Sequence, residues 1–210
     1  MTNGCVGWNT RIPDELVTRI IESAEHHVHT EHDATVVLTK EDFNSKSKPQ
    51  VRSAKSLWIP TNEWVAPYIW YYVLLANRSN YRFDITAFDN ERVQLVTYNV
   101  GDHYIWHWDH NSQMNSSPET IYCSAGYNLQ KELIADMEFS RKLSFSLQLT
   151  DDTQYTGGDL EFREYNNTYT APREKGSLVI FDSRIEHRVT QVKSGTRKSL
   201  VGWVIGPRWR

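Results

Sequence analysis

Cysteine is nearly missing from this chain, with only Cys5 and Cys123 among 210 residues. That excludes a dense disulfide framework and suits a reducing, cytoplasmic setting. Long apolar runs are missing too. None approaches the 18 residues of a membrane span, and the opening MTNGCVGWNT lacks the charged start and apolar stretch of a signal peptide. A basic excess is also absent: 23 Lys and Arg stand against 26 Asp and Glu, with a pI of about 6.2. That is not the electrostatic footprint of a nucleic-acid binder, and the short runs KSGTRK and RWR read as solvated turns. Neither a nucleic acid nor a membrane is expected as a partner. No repeat, low-complexity tract or linker breaks the chain, so residues 1–210 read as one domain.

Aromatics, by contrast, are plentiful, with 8 Trp and 11 Tyr. They favour a β-rich fold with an aromatic-lined cleft. Two helices come first. IPDELVTRIIESAEHH has Pro13 at a plausible first helical position, acids at the positive end of the dipole, and Leu16, Val17, Ile20, Ile21 and Ala24 at helical spacing. TNEWVAPYIWYYVLLANRSN is apolar nearly all round and should be buried, its main body starting near Pro67. ATVVLT and SAKSLWI read as strands. From residue 81 onward short β-type runs follow one another, YRFDITAF first and SLVGWVI last, separated by turn signals such as Gly157-Gly158 and Ser194-Gly195. The fold class is mainly β: an antiparallel sandwich or barrel of residues 81–206 backed by helical support from residues 1–80. Residues 110–140 form a connection long enough to serve as a lid, with a short helix expected in LQKELIADM.

The stretch YNVGDHYIWHWDH, Tyr98 to His110, crowds three histidines and two aspartates among strand-forming residues. Read as a strand, it puts His103, Ile105, His107 and Asp109 on one face and Tyr104, Trp106, Trp108 and His110 on the other. His107 and Asp109 lie ~6.6 Å apart and can share an ion, whereas His103 is roughly 13 Å from His107 along the strand. Taken alone, the pair reads more readily as a hydrogen-bonded His and Asp at a strand end than as two metal ligands. His187 after SLVIFD completes two histidines and a carboxylate, the facial set of non-haem iron oxygenases. Arg197, ten residues on, offers a planar fork suited to a carboxylate. His26, His27, His29 and His32 cluster at the end of the first helix and read as a solvated helix end.

Taken together, Y-N-V-G-D-H-Y-I-W-H-W-D, YTGGDLEF, GSLVIFDSRIEHRVTQVKSGTRKSLVGWV and VRSAKSLWI resemble the signature blocks of prolyl-4-hydroxylase-like (PKHD-type) Fe(II)/2-oxoglutarate dioxygenases over residues 51–206. The resemblance implies a double-stranded β-helix, or jelly roll. It implies iron held by His107, Asp109 and His187, and 2-oxoglutarate held by Arg197 with help from Tyr98. Gln148 stands where many relatives carry a tyrosine, and Trp203 where they carry an active-site aromatic. The implied reaction is hydroxylation of a prolyl residue or another amino-acid-like group of a peptide, protein or small molecule. It consumes O₂ and 2-oxoglutarate and releases succinate and CO₂, with ascorbate as a possible reductant. A carboxylate at Asp109 favours hydroxylation over halogenation. Two alternatives stand beside it. Nucleic-acid demethylases on a similar core carry R-x-N-x-T-x-R after the metal histidine, but here KSLVGWV follows Arg197. An inactive jelly-roll interaction module is the other.

Overall fold

A computed structural model describes residues 7–33, 36–37, 50–110 and 139–208. The long connection and its expected helix fall outside the described residues, as do both cysteines. The strands are β1 (Gly7–Arg11), β2 (His32–Asp33), β3 (Val36–Val37), β4 (Gln50–Ser53), β5 (Lys55–Pro60), β6 (Ala87–Phe88), β7 (Arg92–Tyr98) and β8 (His103–His107). After the undescribed connection come β9 (Phe139–Gln148), β10 (Tyr155–Gly157), β11 (Leu160–Glu164), β12 (Asn167–Thr170), β13 (Ser177–Asp182), β14 (Glu186–Val189), β15 (Val192–Gly195) and β16 (Arg197–Pro207). The helices are α1 (Asp14–Glu25) and α2 (Val65–Ala76).

The larger sheet runs β1-β13-β9-β16-β7-β5-β2 with β6 beside β16, and the smaller runs β12-β11-β14-β8-β4-β3. Every described pairing in both is antiparallel. Strand alternation gives the larger sheet two different faces. Val93, Leu95, Leu143, Phe145, Leu147, Leu178, Ile180, Leu200 and Val204 form one core with α1 and α2. On the opposite face Val96, Tyr98, Val179 and Phe181 meet Leu160, Phe162 and Val189 of the smaller sheet. The helices thus cover one face and the second sheet the other, which is a jelly roll with helical backing. No helix among the described residues is long and apolar enough to cross a membrane.

Local differences from the sequence reading have physical causes. Pro13 is the N-cap of α1, with extended ψ of 143°, because its ring fixes φ without supplying a helical N–H. Helix α2 starts at Val65, placing Pro67 within the first turn, where no intrahelical N–H is needed. The expected strand over residues 81–88 shrinks to Ala87–Phe88, because a π-turn over Asn77–Tyr81 closes on Arg82 in the left-handed region, φ 54°. Asn77 fixes that exit by bonding both the N–H and the carbonyl of Phe83.

Candidate metal centre

Antiparallel pairing of β8 with β14 sets His107 directly opposite His187. The two rings lie 4.1 Å apart between centroids. Strand β8 ends at His107, and the chain bends so that Asp109 follows as the third member. The sequence reading carried the strand through Asp109, but the Asp109 and His110 N–H groups donate instead to the Ser183 carbonyl, both at 3.1 Å. Asp109 Oδ1 is 3.7 Å from His107 Nε2 and Oδ2 is 3.4 Å from His187 Nε2. One ligand atom from each residue falls within 4.8 Å of the others, and this is the one such group of three among the described residues. His103 and His110 are not part of it. Near α1, His27 instead contacts Glu63 at 3.2 Å and His32 stacks on Trp58.

The donor chemistry fits a divalent metal. Each histidine places Nδ1 against a backbone carbonyl, His107 on Ile105 at 2.8 Å and His187 on Ile185 at 2.9 Å. A carbonyl only accepts, so both rings carry a proton on Nδ1, which leaves Nε2 as the nitrogen facing the centre. Burial, then the neighbouring His187, pushes the His107 pKa down to about 3, so the ring is neutral at pH 7. Burial works against ionisation of Asp109, but His187, His107 and Arg141 beside it and the Ser144 hydroxyl outweigh that and hold its carboxyl below the ordinary value. The set therefore offers two imidazole nitrogens and one carboxylate on a single side, which suits a metal that keeps open positions.

One consequence is a pH-dependent stability. A histidine whose folded pKa lies below its unfolded value is destabilising once the unfolded chain takes up the proton that the fold refuses. The metal-free protein is expected to lose about 2 kcal/mol between pH 7 and pH 5 from His107 alone. Denaturant midpoints for unaltered chain and His107→Asn measure this; parallel pH curves for the two would refute it.

The sequence reading missed the residues that aim Asp109. Ser144, in the middle of β9, donates to Asp109 Oδ2 at 2.7 Å, and its oxygen is 2.9 Å from Ser183 Oγ. Both serines are buried. With Oδ2 tied to the larger sheet, Oδ1 is the oxygen left for a metal. Ser144→Ala is expected to weaken Mn(II) binding roughly 10–100-fold, with Ser144→Thr recovering most of it. Equal affinities for all three chains in a dialysis assay would remove the serines from this role.

Beside the trio is a cavity lined by Tyr98, Tyr104, His107, His187, Arg197 and Trp203 among others. Tyr104 corrects the alternation. Val189 pairs with Tyr104 and His187 with His107, so two steps on β14 face three on β8. This bulge turns Tyr104 inward, where its ring stacks on His107 at 3.5 Å. Burial and the Asp109 carboxylate lift the Tyr104 hydroxyl to about 12. Ile105, expected on the ligand face, is instead exposed, as is Trp108. Trp106 does face away, lying between the Arg163 and Arg188 guanidiniums at 4.1 and 4.6 Å.

Arg197 stands opposite Tyr98 in the β16–β7 pairing, only 3% exposed. It donates to Ser199 Oγ at 3.2 Å, and no carboxylate among the described residues forms an ion pair with it. Gln148 donates to the Tyr155 hydroxyl at 3.1 Å, and that hydroxyl lies against Arg197. Tyr155, unnoticed in the sequence, thus joins Gln148 and Arg197 along a smaller adjoining cavity. The glycine pair of YTGGDLEF, read from sequence as turn residues, has a further role. A Cβ on Gly158, at φ +63°, would sit 3.1 Å from Arg197 Cδ, so any other residue would be strained in its backbone and would press on the Arg197 side chain. Trp203 lines the larger cavity with Arg141 on its ring at 4.1 Å.

The family model of the 2OG-Fe(II) oxygenase superfamily matches residues 93–205, more than half of the chain. The chain belongs to that superfamily. A PKHD-type hydroxylase of Synechococcus sp. (strain CC9311) is 47% identical over 62 residues, 30% of this chain and 28% of that protein. The match thus spans well under a third of that relative. Among solved structures, the viral collagen prolyl hydroxylase from Paramecium Bursaria Chlorella virus-1, in a 2OG complex, is similar with a TM-score of 0.62 and 17% identity. It covers 97% of this chain and 98% of that one. A Trichoplax adhaerens prolyl hydroxylase, bound to a hypoxia inducible factor peptide fragment, has a TM-score of 0.58 and 15% identity, covering 97% and 85%. These likenesses show the jelly-roll fold.

Proposed function

We propose that this chain is an Fe(II)- and 2-oxoglutarate-dependent dioxygenase that hydroxylates a prolyl residue or another amino-acid-like substrate. The observation that carries this reading is a buried guanidinium, Arg197, with no carboxylate partner among the described residues, lining the same cavity as the His107–Asp109–His187 trio. A buried unpaired cation is costly unless an anion arrives. One end of a dicarboxylate on Arg197 with the other at a metal meets both needs.

In this reading His107, Asp109 and His187 hold Fe(II), which supplies the oxidising chemistry with O₂ once bound. Arg197, with Tyr155 and Gln148 around it, takes the distal carboxylate of 2-oxoglutarate. Tyr98 and Trp203 line the same space and keep water from the reacting centre. Tyr104 holds the His107 ring in place by stacking on it. An amino-acid-like substrate is supported by the PKHD-type relative and by the neighbour whose ligand is a peptide. Ascorbate would serve to keep the iron reduced.

The test is succinate formation from 2-oxoglutarate under air with Fe(II) and ascorbate, coupled to a gain of one oxygen by a peptide or amino-acid substrate. Succinate is expected only with iron present. Turnover that is indifferent to iron removal, or no succinate with any substrate of an amino-acid panel, would refute the reading.

A further inference from the structure

The cavity holds a second buried guanidinium that this function does not use. Arg52, on β4, is 8% exposed and lines the cavity with the metal trio and Arg197. Its Nη2 donates to Gln94 Oε1 at 3.2 Å, and its carbon lies 5.1 Å from the centre of the Tyr104 ring. Its Nε is fully buried, with no hydrogen-bond partner among the described residues. Among the described residues no carboxylate pairs with it. Gln94, itself buried on the inward face of β7, is neutral and fixes the guanidinium without cancelling its charge.

Charge counting makes Arg52 the odd group. A divalent iron, two neutral imidazoles, the Asp109 carboxylate and Arg197 together carry two positive charges. The dianion of 2-oxoglutarate brings that to zero. Arg52 then leaves one buried positive charge beside the cavity, with an N–H still unsatisfied among the described residues. Burying such a group is unfavourable until an acceptor of opposite charge is present.

We infer that Arg52, held by Gln94, forms a subsite for a carboxylate carried by the substrate, so that the hydroxylated molecule is an acid rather than an internal stretch of peptide. This rests on the proposed function and narrows its substrate class. The carboxylate belongs either to a free amino acid or to a peptide end, and both present the same chemistry to the guanidinium fork.

The test uses the full chain loaded with Mn(II) and 2-oxoglutarate under argon. Paramagnetic broadening of ligand proton signals reports binding close to the metal. The probes are acetate, N-acetylglycine, N-acetyl-L-proline, free L-proline and glycyl-L-proline, each beside its amide. In the unaltered chain at least one acid is expected to bind about tenfold or more tightly than its amide. Arg52→Gln should erase that preference while holding 2-oxoglutarate far better than Arg197→Gln does, and Arg52→Lys should keep part of the preference. Tighter binding of free L-proline than of glycyl-L-proline would assign a free amino acid, and the reverse order a peptide end. No acid preferred over its amide would overturn the inference. So would a preference that survives Arg52→Gln, or a loss of 2-oxoglutarate binding as severe as in Arg197→Gln. An unaltered chain that binds neither Mn(II) nor 2-oxoglutarate would instead sink the proposed function, and the subsite with it.

Discussion

His187→Ala is expected to strip the protein of its metal and of all succinate formation, while leaving the sandwich folded. His187 sits opposite His107 in the β14–β8 register, so removing it takes away one of three donors and leaves Asp109 and one imidazole. The loss of Mn(II) affinity should go well beyond the roughly 10–100-fold that a missing outer hydrogen bond costs. His103→Ala is the control, since His103 lies on the same strand but outside the trio. Anaerobic equilibrium dialysis reads both. Near-normal metal binding by His187→Ala would show that the cluster is not the centre, whatever the turnover assay gives.

Arg197→Gln separates co-substrate from metal. The guanidinium is buried against Tyr98, Ser199 and Tyr155, and glutamine keeps a hydrogen-bonding end without the charge. Truncating one side of a buried, hydrogen-bonded charge pair costs about 2–5 kcal/mol. The KM for 2-oxoglutarate should therefore rise at least about thirtyfold, with Mn(II) affinity held. Titration of 2-oxoglutarate into the metal-loaded variant gives the answer directly. If 2-oxoglutarate binds the variant as it binds the unaltered chain, Arg197 is not its anchor.

Much of this was readable in the chain, for reasons that differ by residue. The two faces of the larger sheet follow from period-two alternation in stretches such as KLSFSLQLT. There Leu143, Phe145 and Leu147 meet the helices, while Ser144, Ser146 and Gln148 face the other way. His107 and His187 stood out as histidines flanked by strand-forming residues. Asp109 was chosen by strand parity, although the chain leaves the strand before reaching it. What fixes Asp109 is a pair of serines distant in sequence, and serine is too common a residue to signal such a role. Tyr104 was set on the wrong face because a bulge is an insertion relative to a partner strand, and a partner is invisible until strands are paired. Arg52 and Tyr155 were passed over for a related reason. A buried arginine reads like an exposed one until the groups around it can be counted.

The bulge in β8 also bears on how this protein can change. One extra residue between Tyr104 and His107 decouples the ligand end of the strand from the remainder. Substitutions on either side leave that phase untouched, but deleting a single residue there would restore regular alternation. The Tyr104 ring would then stand two positions from His107 and still share its face, so the loss would fall on the outward side, where Ile105 is exposed and Trp106 lies between Arg163 and Arg188. The extra residue thus belongs to the outward side of the strand, and descendants of this chain could lose it there while the ligand face keeps its phase.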